Sequence, residues 1–282
     1  MLKQRILTAA VLLAVFIAAL CAPTPAPFLA LTLLMVGAAG WEWSRLIGWT
    51  GWRALASGVL CAALGLAAWQ ARWPGSALAP WCVVGLLWII DGAWLLRRGV
   101  ARWPQSPRPL RWAIGMAILI AAWLALALAR MRGINFLLSA LALVWAADIA
   151  AYFCGRALGG KLTGGRKLAP TISPGKSWEG AAGGFIGVLL TGAIWMMADH
   201  LRQSPSSLYT ILWQRSPLWF VAGLAVLTAM SVVGDLTESL VKRAAGVKDS
   251  SALLPGHGGV LDRIDALLPT LPLALAAAGL AS

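Results

Sequence analysis

Residues 112–129 read Trp-Ala-Ile-Gly-Met-Ala-Ile-Leu-Ile-Ala-Ala-Trp-Leu-Ala-Leu-Ala-Leu-Ala, a run without a single charged residue. A helix needs about 20 apolar residues to cross the hydrocarbon core of a bilayer, and this run approaches that length. Membrane β-barrels show shorter segments of alternating polarity, whereas this run is continuous and rich in Leu and Ala. The stretch therefore predicts a membrane-spanning helix.

The composition of the whole chain supports the same class. Of its 282 residues, 60% are hydrophobic and 12% are charged, and the mean hydropathy is +0.79. Soluble domains carry about 25% charged residues, so this chain has too little polar surface to face water on all sides. We predict an all-α polytopic integral membrane protein of about nine transmembrane helices. The apolar runs span residues 6–22, 27–41, 54–69, 79–96, 112–129, 134–153, 180–198, 217–238 and 264–281.

The chain changes character near residue 133. Residues 1–133 hold about five predicted helices joined by simple basic loops, and residues 134–282 hold about four helices and two long, Gly-rich loops of mixed charge. We therefore predict two transmembrane regions. The first apolar run could instead be a cleaved signal peptide, but residues 18–21 form a poor cleavage site and many spans follow. A retained first helix is the better interpretation.

The basic residues indicate an orientation. If the N-terminus is cytoplasmic, 18 of the 23 Lys and Arg residues fall in cytoplasmic segments and 5 fall on the other side. Cytoplasmic loops of membrane proteins carry such an excess of positive charge. The net charge of +13 is then explained by anionic lipid headgroups, and we expect no nucleic-acid partner.

The acidic residues are clustered toward the C-terminus. Half of the ten fall within residues 235–265: Asp235, Glu238, Asp249, Asp262 and Asp265. On a helix, Asp235, Ser239 and Lys242 share one face near the predicted cytoplasmic end of the eighth span. An ionisable residue at that depth is by default a candidate functional residue.

The segment Pro-Gly-His-Gly-Gly at residues 255–259 is predicted to end this helical stretch and to change the direction of the chain before the last span. Asp262 and Asp265 then begin the ninth predicted helix on a shared face. Carboxylates from two helix ends can converge on Mg²⁺, which prefers oxygen ligands and shares them with phosphate groups. The alternative is a juxtamembrane hinge whose acids only pair with neighbouring basic residues. Those basic residues are Lys242, Arg243, Lys248 and Arg263.

A second polar stretch runs from Asp148 to Gly180 and contains the sequence Ser-Pro-Gly-Lys-Ser at residues 173–177. It does not match a phosphate-binding P-loop, because proline occupies position 170, where the first glycine would fall, and no strand is predicted before it. A turn with Ser173, Lys176 and backbone donors still suits contact with a phosphate or a lipid headgroup. The alternative is a plain basic loop.

Together these two stretches resemble the phosphatidate cytidylyltransferase (CDP-diacylglycerol synthase) family. The family signature S-x-x-K-R-x4-K-D, followed by P-x-H-G-G-x-x-D-R-x-D, is matched from Ser239 to Asp265, and KLAP-x-x-SPGK-[ST]-W-x-G is matched from Lys167 to Gly180. The resemblance covers residues 148–268. Ala252 and Ala266 depart from the family pattern, at positions outside the fixed signature.

The resemblance implies an enzyme that transfers the CMP moiety of CTP to phosphatidic acid, giving CDP-diacylglycerol and pyrophosphate. Residues 134–282 would then be the catalytic region. CTP, phosphatidic acid and membrane lipids are the expected partners, Mg²⁺ is the expected cofactor, and a second cation and a homodimer remain open. We expect a bacterial inner membrane protein whose active site faces the cytoplasm.

Residue roles follow from this resemblance. The expected metal ligands are Asp235 and Asp262 first, then Asp249 and Asp265. Lys242, Arg243, Lys248 and Arg263 are expected to hold phosphate oxygens or the departing pyrophosphate. Ser239, Ser173, Lys176 and Lys167 are expected to contact the substrates. His257 is expected either to donate a hydrogen bond to the leaving group or to stabilise its turn.

Two other functions compete. A CTP-dependent lipid kinase would phosphorylate an alcohol and release CDP, so the nucleotide product distinguishes it. The aspartate motif of CDP-alcohol phosphotransferases is absent from the sequence. A transporter would carry related polar breaks in both halves, whereas the polar residues here concentrate in one half.

Four further features are interpreted structurally. His200 is expected at the surface, Asp91 in the bundle interior, and Glu42 with Arg45 in a surface ion pair. Cys21, Cys61, Cys82 and Cys154 have no metal-ligand spacing and are interpreted as small buried hydrophobic residues.

Overall fold

The computed structural model describes residues 2–73, 75, 77–203 and 206–281, with the backbone alone for residues 2–5. Most of the described chain is helical, which confirms the predicted all-α membrane class. Its α-helices, in chain order, are α1 (Leu2–Leu20), α2 (Ala26–Leu46), α3 (Gly51–Gln70), α4 (Ala79–Arg98), α5 (Arg108–Arg132), α6 (Ile134–Leu158), α7 (Trp178–Arg202), α8 (Leu208–Arg215), α9 (Pro217–Ala244), α10 (Leu261–Ile264) and α11 (Leu267–Ala281).

The prediction of about nine membrane helices agrees with the structure. Within the described residues, eight segments are long and apolar enough to cross a membrane, namely α2 to α7, α9, and the combined segment Leu261–Ala281. Helix α1 supplies a ninth apolar helix, although its apolar part, Ile6–Leu20, is shorter. The last predicted span is broken near Asp265, because α10 and α11 are separate helices there.

Small residues set the packing of the second half. Helices α6 and α7 form the most extensive helix pair. A side chain at Gly184 would meet the carbonyl oxygen of Ala147 at 2.9 Å, so glycine allows the two backbones to approach closely. Helix α11 packs against α4, α5 and α9 and thereby joins the two predicted regions.

Four short elements were not predicted from the sequence. A 3₁₀ helix, Val100–Gln105, follows α4, and the short helix α8 precedes α9. Between α6 and α7, β1 (Lys167–Ala169) and β2 (Ser173–Ser177) pair as an antiparallel hairpin. Hydrophobic periodicity gives no signal for such short pieces.

Candidate active site

An ion pair joins the two polar stretches. The Nζ of Lys176, at the end of the hairpin, lies 2.6 Å from Oδ2 of Asp235 on α9. The side chains are 25% and 31% exposed, so water and solutes can reach the pair. The Ser239 hydroxyl, one turn further along α9, donates to Oδ1 of Asp235 at 3.3 Å. The two polar stretches of the sequence are therefore in direct contact.

Further carboxylates surround this pair. Asp148 on α6 and Asp265 between α10 and α11 both interact electrostatically with Asp235 and with Lys176. One Asp265 oxygen accepts the N–H of Ala266 at 2.8 Å. Three carboxylates from three segments thus interact with Lys176, and Asp265 interacts with Lys242 as well, so carboxylates outnumber lysines in this pocket. Such an excess attracts a cation.

A second charged cluster lies next along α9. Lys242 is buried, and its Nζ pairs with Glu238 and, at 2.6 Å, with Oδ1 of Asp262. Asp262 also accepts the N–H of Gly259 at 2.7 Å and both the N–H and the hydroxyl of Ser250. Both oxygens of Asp262 are therefore already engaged by donors of the protein itself. Its predicted role as a metal ligand would require some of these bonds to break.

Glu42 corrects one sequence interpretation. The predicted surface pair with Arg45 is wrong, because Glu42 is 0% exposed and Arg45 lies on the exposed side of α2. The Glu42 carboxylate accepts the N–H groups of Val260 at 2.9 Å and Leu261 at 2.7 Å, and the Ser251 hydroxyl at 2.6 Å. It therefore caps the start of the last membrane span, whose first N–H groups have no partners within the helix.

Ser250 lies between the two carboxylates. Its hydroxyl oxygen is 2.9 Å from Oδ2 of Asp262 and 3.2 Å from Oε2 of Glu42. A hydroxyl has a single proton, so it can donate to only one of them at a time. Gly259 packs against the same three residues, and any side chain there would overlap Ser250 and Glu42. This explains physically why the loop carries glycine at that position.

The loop between α9 and α10 encloses a cavity of about 540 Å³. Four of the predicted site residues line it, namely Lys248, Asp249, His257 and Arg263. The Arg263 guanidinium donates to the carbonyl oxygen of His257 at 2.8 Å, which holds the charged side chain against the loop. The cavity falls in the volume range of small-molecule sites, and its mixed lining includes two basic side chains and one acidic side chain.

The remaining predicted residues lie around these centres. Arg243 donates to the carbonyl oxygen of Val247 at 3.1 Å and is exposed. The His257 ring lies 3.4 Å from the carbonyl oxygen of Pro255, a contact typical of a residue that stabilises its turn. Lys167 and Ser173 lie at opposite ends of the hairpin strands, where Lys167 is exposed and Ser173 is half-buried.

Sequence reasoning missed a second buried glutamate. Glu179, in the first turn of α7, accepts the N–H groups of Gly160 and Thr163 at 3.0 Å and the Thr163 hydroxyl at 2.8 Å. Next to it, the hydroxyl of Ser177 accepts the N–H of Gly180 and caps α7. Ser177 followed by Glu179 just before an apolar run is a sequence signal for the start of α7. No sequence signal indicates that Glu179 also binds the loop at Gly160 and Thr163.

The structural interpretations of His200, Asp91 and the cysteines are confirmed to different extents. His200 is exposed, as predicted, while Asp91 is exposed on α4 and not inside the bundle. Cys61 is buried, Cys82 and Cys154 are half-buried, and Cys21 is exposed, so the prediction of buried cysteines holds only in part.

Comparison with known proteins shows the family of the chain. A model of the cytidylyltransferase family matches residues 3–280. The chain belongs to the cytidylyltransferase family. A phosphatidate cytidylyltransferase of Pseudomonas aeruginosa is 37% identical over 281 residues, which cover 96% of this chain and 95% of the relative. A phosphatidate cytidylyltransferase of Brucella suis is 38% identical over 205 residues, which cover 67% of each chain. A phosphatidate cytidylyltransferase of Haemophilus influenzae is 49% identical over 141 residues, which cover 50% of this chain and 44% of the relative.

We expect Glu42→Ala to destabilise this cytidylyltransferase-family protein by roughly 2–4 kcal/mol, because two buried N–H groups lose their acceptor. Thermal unfolding in detergent would show the loss, and hydrogen exchange would show faster exchange at residues 250–261. Arg45→Gln, three residues along the same helix, is the matched control and should stay within about 0.5 kcal/mol. Equal effects of the two substitutions would contradict the buried-cap interpretation.

Proposed function

We propose that this protein transfers CMP from CTP to phosphatidic acid and releases pyrophosphate. The observation that carries the proposal is the Lys176–Asp235 contact, because it brings the first family motif against α9 in a partly exposed charged pocket, one turn before Ser239, where the second motif begins. The names of the relatives supply the substrates, and the apolar helices support a substrate that resides in the membrane.

The proposed reaction is a displacement at phosphorus. A phosphate oxygen of phosphatidic acid attacks the α-phosphorus of CTP, a new P–O bond forms, and the bond to the β-phosphate oxygen breaks. The nucleophile is already ionised near neutral pH, so the site does not need a strong general base. Catalysis then depends on positioning and on charge neutralisation. Lys176 is partly exposed, Lys248 and Arg263 line the cavity, and these three cations would hold phosphate oxygens.

A divalent cation fits one part of this site. Within the described residues, no three His, Cys, Asp or Glu side chains are gathered as a ready metal site. Mg²⁺ commonly uses one or two carboxylates and takes its other ligands from water and substrate phosphates. Asp235 and Asp265 suit that arrangement, because they lie in the acidic pocket. Bound there, Mg²⁺ would neutralise charge on the phosphates. Asp262 would then hold the loop through Lys242, Ser250 and Gly259.

The proposed location is a bacterial inner membrane with the site facing the cytoplasm. The excess of basic residues on that side supports the orientation, and so does the need to reach CTP from the aqueous compartment.

Purified protein with CTP, Mg²⁺ and phosphatidic acid should yield CDP-diacylglycerol and pyrophosphate in equal amounts, measured by mass spectrometry. Asp235→Asn and Lys176→Met should each lower kcat/KM by on the order of 100-fold. The double variant should lose little more than the worse single variant, because the two residues act as a unit. Unchanged thermal midpoints would control for folding. CDP as the nucleotide product, or wild-type rates in the single variants, would overturn the proposal.

Metal dependence separates the roles of two aspartates. Asp265→Asn should raise the Mg²⁺ concentration for half-maximal rate by roughly tenfold or more. Asp262→Asn should instead lower the thermal midpoint and leave the Mg²⁺ dependence of the remaining activity unchanged, because its partners are protein donors. The opposite pattern would return Asp262 to the metal site.

The orientation is open to a labelling test. In a Cys21→Ser background, cysteine can replace the exposed Leu162 or the exposed Gln214. A membrane-impermeant maleimide should label Gln214→Cys in intact cells and Leu162→Cys only in inverted vesicles. Labelling of Leu162→Cys in intact cells would place the candidate site outside.

A further inference from the structure

A groove between α4 and α5 lies apart from the candidate active site. Its volume is about 430 Å³, and it is lined along α4 from Val84 to Leu95 and along α5 from Leu110 to Ala121. At 1.5 Å per helical residue these stretches are each about 16 Å long, roughly half the thickness of a hydrocarbon core. Thr237 of α9 also lines the groove. Because Thr237 is two residues from Asp235, these two side chains point in nearly opposite directions from α9.

The groove is apolar at one end and polar at the other. Val84, Leu87, Ile118 and Ala121 line its deeper part. Asp91, Ser106 and Arg111 line the end nearest the 3₁₀ helix, where Trp43 also lies, next to Glu42. The polar end is therefore at the same membrane face as the candidate active site, as the headgroup of a lipid in that leaflet would be.

Two buried donors in the groove wall have no partner among the described residues. Trp103 is 7% exposed and Thr237 is 8% exposed, and neither the indole Nε1 nor the hydroxyl makes a hydrogen bond there. Trp43, by contrast, donates its Nε1 to the carbonyl oxygen of Arg111 at 3.0 Å. Buried donors are nearly always paired, so two on one groove indicate an acceptor that binds there. Ester carbonyl oxygens of a diacyl lipid are acceptors that an apolar groove can take in.

Charged groups at the polar end indicate the headgroup. Arg111 is buried, and its Nε donates to the carbonyl oxygen of Ser106 at 3.1 Å, which fixes the guanidinium beside the groove. The other N–H groups of the Arg111 guanidinium have the geometry to donate to two phosphate oxygens. Asp91, exposed at the same end, would repel a doubly charged phosphate but accept hydrogen bonds from a headgroup hydroxyl or ammonium.

We propose that the α4–α5 groove binds a diacyl glycerophospholipid with a phosphodiester headgroup that carries hydrogen-bond donors, such as glycerol or ethanolamine. The site is separate from the reaction centre and does not rest on the proposed reaction. Arg111 takes the phosphate, Asp91 takes the headgroup donors, and Trp103 with Thr237 takes the ester carbonyls.

Photolabelling of the full-length protein in nanodiscs tests the proposal without any turnover. The probes are phosphatidylglycerol and phosphatidylethanolamine with a photoactivatable acyl chain, and labelled peptides are identified by mass spectrometry. Peptides of α4 and α5 should be labelled. Ala117→Phe fills the groove and should reduce this labelling roughly fivefold. Ala63→Phe places the same side chain on the exposed surface of α3, which does not line the groove, and should change nothing.

Competition identifies the headgroup. Unlabelled phosphatidylglycerol should compete roughly tenfold better than phosphatidylcholine, which has the same phosphodiester but no headgroup donor, and better than phosphatidic acid. Asp91→Asn should reduce that preference, and Arg111→Gln should weaken labelling by every phospholipid. Equal labelling in the two phenylalanine variants, or equal competition by phosphatidylcholine, would overturn the proposal. So would a disulfide between two copies of an Ile114→Cys variant, because a second copy would then occupy the groove.

Discussion

The last membrane span begins under a constraint that shapes the whole candidate site. Its first N–H groups must find acceptors at the edge of an apolar bundle, and the chain supplies carboxylates for them: Glu42 for Val260 and Leu261, and Asp262 for Gly259. Each carboxylate in turn gains from the positive end of the helix. The loop between α9 and α10 is held against both, so the positions of Lys248, Asp249, His257 and Arg263 depend on this cap.

The same constraint explains why the first half of the chain is part of the site. Glu42 lies on α2, more than two hundred residues before the loop that it holds. Helix α11 extends the connection, because it packs on α4 and α5 as well as on α9. A catalytic region cut away at residue 133 would lose the acceptor for the start of its last span and expose α11. The two predicted regions are therefore physically interdependent.

Much of this architecture could be predicted from the sequence, because apolar runs and clustered charges follow from local rules. The eight long helices and the residues of the two polar stretches were found in this way. The role of Glu42 could not be predicted, since its partners are distant in sequence and a single Glu one turn from an Arg also fits a surface ion pair. The sequence predicts Asp91 inside the bundle because a carboxylate is costly in lipid. The α4–α5 groove instead gives Asp91 polar neighbours that the sequence does not reveal. The roles of Asp235, Asp262 and Asp265 remain predictions.

The partners of the carboxylates give a physical reason why the two clusters on α9 should differ in function. Around Lys242, the carboxylate of Asp262 is engaged by the lysine and by loop donors, so adding a cation would mean replacing bonds that already exist. Around Lys176, the carboxylates of Asp148, Asp235 and Asp265 outnumber the nearby cation, and the pocket is open to water. A metal ion with its phosphates would lower the repulsion there, whereas at the Lys242 cluster it would first have to displace the donors that Asp262 already has. The Lys242 cluster is thus suited to hold the loop in place, and the Lys176 pocket is suited to bind a cation.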